Sequence, residues 1–137
     1  SAALAHARQR LAGRASQVEW FEADVTAFAP PHRFQLWHDR ALFHFLTAAA
    51  DRQRYLAVLK RTLAPGGRVI LATFAVTGPE HCSGLPVARY DAATITAALG
   101  KGWQLLEQRD ERHATPQGAT RRFSYFLLAP TQPLNQH

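Results

Sequence analysis

The stretch LAPGGRVILATF, from Leu63 to Phe74, joins a turn to a continuous apolar run and decides the expected fold. Pro65, Gly66 and Gly67 predict the end of a preceding helix, because proline lacks a backbone donor and glycine permits a tight turn. The run that follows is rich in Val, Ile and Phe without polar alternation, which is typical of a strand covered on both faces in a parallel sheet. The sequence therefore predicts the centre of a sheet over 68–76.

The segments on either side of this strand alternate between helix and strand patterns. Apolar residues recur at helical spacing in three segments, which predicts helices over 1–12, 51–63 and 91–100. Runs rich in β-branched and aromatic residues predict strands over 18–23, 34–38, 103–111 and 121–129. This order predicts one domain over 1–137 with an α/β fold, a three-layer and mostly parallel sheet with helices on both faces and a C-terminal antiparallel hairpin.

Composition narrows the classes of function. No apolar run approaches the ~18 residues that a membrane span needs, so a soluble protein without a membrane partner is expected. The single cysteine, Cys82, and the absence of a signal peptide at the start favour a cytoplasmic location. The net charge of +6 suggests nucleic acid, but the basic residues are scattered among carboxylates, which disfavours that partner. The histidines, including His81 beside Cys82, lack the spacing of a metal site, so no metal is expected.

Polar side chains lie where two of the predicted strands end. Asp24 follows the strand over 18–23, and His38, Asp39 and Arg40 end the strand over 34–38. In open α/β sheets, ligands bind beyond the carboxyl ends of the strands. The sequence therefore predicts a functional site that contains Asp24 and the His38-Asp39-Arg40 triple.

Four segments carry a resemblance to a known family. They are VEWFEADV (18–25), FQLWHDRALFHFL (34–46), LAPGGRVILATF (63–74) and the closing hairpin. In order and separation they resemble the class I S-adenosylmethionine-dependent methyltransferases, and the leucine-x-proline-glycine-glycine before a buried strand is the most specific piece. The resemblance implies a Rossmann-like sheet, S-adenosylmethionine as cofactor and methyl transfer to a small-molecule acceptor.

The resemblance also implies roles for individual residues near the cofactor. Asp24 matches the acidic residue that accepts a hydrogen bond from the adenine amino group, and Val25 matches the residue that packs on the ring. The alternative for Asp24 is a cap on the following turn, and the two roles are compatible. Phe43 matches the apolar member of a hydrophobic-histidine pair and is a candidate cofactor contact. Its neighbour His44, among phenylalanines, is most simply a core residue with its hydrogen bonds satisfied.

The resemblance places His38, Asp39 and Arg40 beside the methionine part of the cofactor and the incoming nucleophile. All three are candidate catalytic residues, and His38 is also a candidate cofactor contact. If the acceptor needs a base, His38 is the candidate, because imidazole titrates near neutral pH. The alternative for Asp39 and Arg40 is a salt bridge that holds the loop.

The strongest motifs of the family are missing. The glycine-rich turn after its first strand and the acidic residue after its second strand have no match, and 1–11 corresponds to the helix after that second strand. Without the first two strands of the family, backbone groups of the neighbouring strands would lack partners. Three alternatives are therefore expected: the protein has an upstream segment that this sequence does not include, 18–23 pairs directly with 34–38, or a homodimer forms through exposed strand edges.

The missing motifs also bear on activity. Without the half of the site that holds methionine and ribose, this chain alone is expected to bind S-adenosylmethionine weakly or not at all. The alternative function is a non-catalytic domain derived from a methyltransferase that acts as a homodimer or binding module.

Overall fold

The computed structural model describes residues 2–82 and 84–131. Its helices are α1 (Ala2–Leu11), α2 (Ala49–Thr62) and α3 (Ala92–Leu99), with short 3₁₀ turns over Ala12–Gln17 and Phe43–Phe45. Its strands are β1 (Phe34–Arg40), β2 (Leu63–Phe74), β3 (His81–Cys82), β4 (Leu85–Pro86), β5 (Trp103–Ala114) and β6 (Thr120–Pro130). No described helix is both long enough and apolar enough to cross a membrane.

The main sheet has the strand order β1-β2-β6-β5. β1 runs parallel to β2, with His38 beside Ile70 and Asp39 beside Leu71. β6 pairs antiparallel with β2 on one side and with β5 on the other. The expected α/β fold with its C-terminal antiparallel hairpin is confirmed, and within the described residues the parallel part consists of β1 and β2.

The core lies between the sheet and two helices. α2 and α3 contribute Leu59 and Ile95 to the same buried cluster as Val69 of β2 and Phe126 of β6. Both helices therefore pack on one face of the sheet and form one of the two expected helix layers. A smaller cluster on the other face contains Ala72, Phe74, Val87 and Phe123.

The backbone geometry near the start of β2 requires glycine at two positions. Gly66 has a φ of +77°, which L side chains rarely adopt. A Cβ at Gly67 would lie 2.7 Å from a methyl carbon of Leu63 and 2.9 Å from the carbonyl oxygen of Ala64. The two glycines thus allow the tight turn in which the backbone passes close to Leu63 and Ala64, as the sequence predicts.

Asp91 sets the start of α3. Its carboxylate accepts a hydrogen bond from the Thr94 amide at 2.8 Å, and the Thr94 hydroxyl accepts one from the Asp91 amide at 2.8 Å. This reciprocal capping box satisfies two amide groups that a helix start leaves unpaired. The predicted helix over 91–100 is confirmed at both ends, with Leu99 as its last residue.

The predicted strand over 18–23 is wrong. These residues have no regular secondary structure, and in the described chain β1 pairs with β2 alone. The expected direct pairing of 18–23 with 34–38 is therefore also wrong. A strand needs a partner for its backbone amide and carbonyl groups, and without one the local pattern of VEWFEA does not suffice.

Candidate functional site

The triple His38-Asp39-Arg40 forms the last three residues of β1 rather than a loop beyond it. Because successive side chains of a strand point to opposite faces, Asp39 faces the helix side of the sheet while His38 and Arg40 face the other side. Asp39 is only 5% exposed, whereas its two neighbours are exposed. The structure therefore separates three residues that are contiguous in sequence.

Asp39 is fully engaged by hydrogen bonds. Its carboxylate accepts from the amides of Leu42 at 2.9 Å and Phe43 at 3.0 Å, and from the hydroxyl of Tyr55 on α2. The same hydroxyl accepts from the indole nitrogen of Trp37 at 2.8 Å. Burial raises the pKa of Asp39, although these hydrogen bonds oppose that effect. Asp39 thus holds the turn after β1 against α2, and its partner is Tyr55 rather than Arg40.

Arg40 connects the first strand of the sheet to the terminal hairpin. Its guanidinium donates a hydrogen bond to Nδ1 of His113 at 3.2 Å and lies 5.4 Å from the ring centre of Phe123. The predicted salt bridge between Asp39 and Arg40 is absent among the described ion pairs. Arg40 therefore bridges β1, β6 and β5 on the face opposite Asp39.

His38 lines a cavity of about 460 Å³ beside β1. The other aromatic walls of this cavity include Phe21, Phe28 and Trp37. A second cavity of about 350 Å³ shares those three aromatic residues and is also lined by Val25. Two candidate site residues from separate segments, His38 and Val25, therefore lie in adjoining cavities.

Asp24 lies in an exposed turn. Its Oδ1 accepts hydrogen bonds from the Thr26 amide at 2.8 Å and the Thr26 hydroxyl at 2.7 Å, and these bonds lower the pKa of Asp24. Its carbonyl oxygen accepts from the Ala27 amide at 3.0 Å. Asp24 therefore caps the turn, as the structural alternative predicts. An ionised, exposed carboxylate is also compatible with accepting a hydrogen bond from a ligand amine.

Phe43 lies in the core. Its side chain is 0% exposed and packs against the rings of Tyr55 at 5.1 Å and Tyr90 at 5.5 Å between centroids. Phe43 therefore packs within the core and has no exposed surface for a cofactor in this structure.

His44 is buried with one ring nitrogen paired. Nδ1 accepts a hydrogen bond from the Phe74 amide at 3.3 Å, so the neutral ring carries its proton on Nε2. Nε2 has no partner among the described residues. Burial lowers the pKa of His44 to about 4. The residue belongs to the core as expected, but only half of its hydrogen-bonding capacity is satisfied.

Sequence reasoning missed Tyr55 as a site residue. Its position on the apolar face of α2, four residues before Leu59, indicates burial but not the partner of its hydroxyl. A buried tyrosine hydroxyl needs a hydrogen-bond partner, and the inward position of Asp39 in β1 supplies it. Within 2–82 and 84–131, no group of three His, Cys, Asp or Glu side chains could hold a metal ion.

Comparisons with solved structures identify the fold. The N-methyltransferase NodS from Bradyrhizobium japonicum WM9, in complex with S-adenosyl-L-homocysteine, has a TM-score of 0.66 and 14% identity, covering 92% of this chain and 62% of that chain. The glycopeptide N-methyltransferase MtfA, complexed with S-adenosyl-L-methionine, has a TM-score of 0.69 and 17% identity, covering 95% and 74%. The Burkholderia thailandensis 1,6-didemethyltoxoflavin-N1-methyltransferase has a TM-score of 0.65 and 19% identity, covering 93% and 56%.

The similarity is one of structure rather than of sequence. No protein-family model and no curated protein sequence matches the chain. The chain spans less than two thirds of the length of NodS and of the toxoflavin enzyme. Nearly all of it nevertheless superimposes on proteins whose names share one activity, so the fold of this chain is that of the class I S-adenosylmethionine-dependent methyltransferases.

Proposed function

We propose that this chain contributes to S-adenosylmethionine-dependent methyl transfer to a small-molecule acceptor. The observation that carries the proposal is the fold shared with MtfA over 95% of this chain. The acceptors named for two of the similar structures are a glycopeptide and a didemethyltoxoflavin, and neither of them is a nucleic acid.

Asp24 and Val25 are the proposed contacts for the adenine end of the cofactor. Val25 lines a cavity and packs partly against the core, while the Asp24 carboxylate beside it is exposed and ionised. These features fit a ring stacked on Val25 with its amine near Asp24. The residues that would hold ribose and methionine have no match in this sequence, so we expect weak binding by this chain alone.

The proposed chemistry requires little of the protein beyond alignment. When bound, the cofactor supplies a methyl group on an already reactive sulfonium, and positioning of the acceptor provides much of the acceleration. His38 is the proposed general base, because its exposed ring lines a cavity and lies on the strand that Asp39 and Arg40 fix. Asp39 and Phe43 serve as positioning residues from the core.

Calorimetric titration with S-adenosylhomocysteine tests the proposal. We expect weak binding to the 137-residue chain, and Asp24→Asn should weaken it by about tenfold, because it removes the negative charge that strengthens the hydrogen bond from the ligand amine. Glu80→Gln, which removes an exposed carboxylate from the loop after β2, is the control and should leave the affinity unchanged. Absence of heat at millimolar ligand would contradict cofactor binding, and an unchanged Asp24→Asn would contradict the role of Asp24.

The open edge of β1 favours a second candidate, a non-catalytic homodimer. β1 is hydrogen-bonded on one side only in the described chain, and Leu36 on it is 53% exposed. An unpaired strand edge is a template for pairing with another chain. Sedimentation velocity distinguishes the two functions: a dimer that gives no heat with S-adenosylhomocysteine supports the non-catalytic alternative, and a monomer that binds it supports the enzyme.

A further inference from the structure

Two arginines face each other across the terminal hairpin. Arg112 of β5 is the direct partner of Arg122 in β6. Both side chains line a cavity of about 700 Å³ together with Thr77, Gly78, Pro79 and Thr120. The cavity lies where the chain leaves the carboxyl end of β2 at Phe74, so it opens at the same end of the sheet as the His38-Asp39-Arg40 triple.

This arrangement concentrates positive charge. Like charges that face each other directly on an antiparallel pair are destabilising. In the portion of the chain that the structure describes, neither guanidinium has an ion pair or a hydrogen bond. Asp110, on the same face of β5, is held by the Ser124 hydroxyl at 2.7 Å. The two arginines therefore repel each other, and no ion pair or hydrogen bond among the described residues offsets that repulsion.

The other walls of the cavity suit an oxyanion. The hydroxyls of Thr77 and Thr120 can donate hydrogen bonds, and a guanidinium matches the geometry of a carboxylate or phosphate with two parallel N–H groups. Arg89 fixes the loop, since its guanidinium donates to the Gly78 carbonyl oxygen at 3.1 Å. The cavity thus combines two unpaired charges, two hydroxyls and a tethered loop.

We propose that Arg112 and Arg122 form a binding site for a carboxylate or phosphate group carried by the acceptor. An anion between the two guanidinium groups would replace their repulsion with charge-assisted hydrogen bonds. Arg40 reaches His113, the neighbour of Arg112, so the end of β1 and this pair lie at the same end of the sheet, with Arg40 and the pair on opposite faces. The identification of the ligand as the acceptor rests on the proposed function, whereas the anion site itself does not.

Nuclear magnetic resonance titration of the 15N-labelled chain tests the site. The probes are inorganic phosphate in one series and acetate in another, with ionic strength held constant by sodium chloride. We expect at least one probe to shift the amide resonances of Thr77, Gly78 and Thr120. The series that gives the tighter binding identifies the preferred group as phosphate or carboxylate.

Matched double variants separate a specific site from general positive charge. R112Q/R122Q should weaken binding of the anion by about tenfold or more, in line with the strength of hydrogen bonds to charged groups. The control R109Q/R121Q removes the same amount of charge from the same two strands, but on the opposite face. It should keep the affinity for the anion within about twofold, since strand alternation points these side chains away from the cavity. Equal losses in both variants, or no shifts with either probe, would overturn the proposal.

A parallel titration with S-adenosylhomocysteine keeps this inference distinct from the proposed function. R112Q/R122Q should bind S-adenosylhomocysteine like the unchanged chain, because neither arginine lines the cavities of Val25 and His38. Anion binding without S-adenosylhomocysteine binding would support the site and contradict the enzyme. The reverse result would contradict the site alone.

Discussion

Residues 2–38 and residues 39–131 differ in how they are packed. None of the residues 2–38 is buried, and α1 contributes no buried side chain. From Asp39 onward, β2, β6, α2 and α3 supply most of the fully buried residues of the core, with Leu59, Val69, Ile95 and Phe126 all at 0% exposure. The candidate site draws on both regions, since Asp24 and Val25 belong to the first and Asp39 to the second.

The two parts of the candidate site have unequal structural support. Asp39 is held by hydrogen bonds to a turn and to α2, whereas Asp24 depends on a local turn of its own. Stability is not uniform along a chain, and regions with few buried contacts open at low free energy. We therefore expect the turn around Asp24 to be less rigid than the turn after β1.

The largest difference between the regions should appear on truncation of leucines. Leu59→Ala in the core should reduce the free energy of unfolding by about 2–5 kcal/mol, because it leaves a cavity among buried neighbours. Leu11→Ala, at 38% exposure in α1, should change it by no more than about 0.5 kcal/mol. Urea denaturation followed by circular dichroism measures both. Similar losses for the two variants would mean that residues 2–38 are packed as well as the core.

Acid should lower the stability of the fold through His44, which lies in the packed region. The pKa of His44 is about 4 in the folded chain and near 6.5 when unfolded, so the unfolded state binds the extra proton first. Stability should be full above pH 6.5 and should fall by about 3 kcal/mol as the pH drops toward 4, at ~1.4 kcal/mol per unit of pKa.

Two histidine variants locate this effect. His44→Gln keeps a hydrogen-bond acceptor but does not titrate, so it should flatten the stability profile between pH 6.5 and 4. His32, exposed in the first region beside Glu19, has a raised pKa, and its small contribution runs in the opposite direction. His32→Gln should therefore leave the acid dependence of stability unchanged. A flattened profile in this variant would mean that the dependence comes from His32 and not from His44.

The boundary between the regions is tested by Asp39→Asn. An amide can accept at one oxygen only, so at least one of the Leu42, Phe43 and Tyr55 donors loses its partner, at a cost of about 1–3 kcal/mol. Arg40→Gln, on the exposed face, is the control and should cost about 1 kcal/mol or less. Thermal unfolding measures both. Equal effects would mean that Asp39 holds the turn no more firmly than Arg40 holds the hairpin.

The elements with local signals were predictable from the sequence. The run over 68–76, the amphipathic pattern of α2 and the Asp91 cap each depend on neighbouring residues only, and the structure confirms all three elements. The segment 18–23 carries a similar strand pattern but lacks a partner strand, which its own residues cannot reveal. Pairing between distant segments is thus the part of the fold that local pattern cannot supply.

The candidate site was predictable to a similar degree. The position of His38 near the end of β1 follows from the pattern, whereas Asp24 lies in a turn with no strand before it. The inward direction of Asp39 depends on which face of β1 the helices cover. The opposition of Arg112 and Arg122 depends on the register that the turn over 115–119 sets. A one-residue change in that register would move one of the two side chains to the other face.

The position of β2 at the centre of the sheet has a consequence for how such a chain can diversify. β2 and β6 pair directly, and the connection between them begins with the loop that contributes Thr77, Gly78 and Pro79 to the arginine-lined cavity. Lengthening a flexible connection costs little conformational entropy, about 0.6 kcal/mol for each doubling. Insertions in that loop can therefore change the walls of this cavity while the sheet beneath it stays the same.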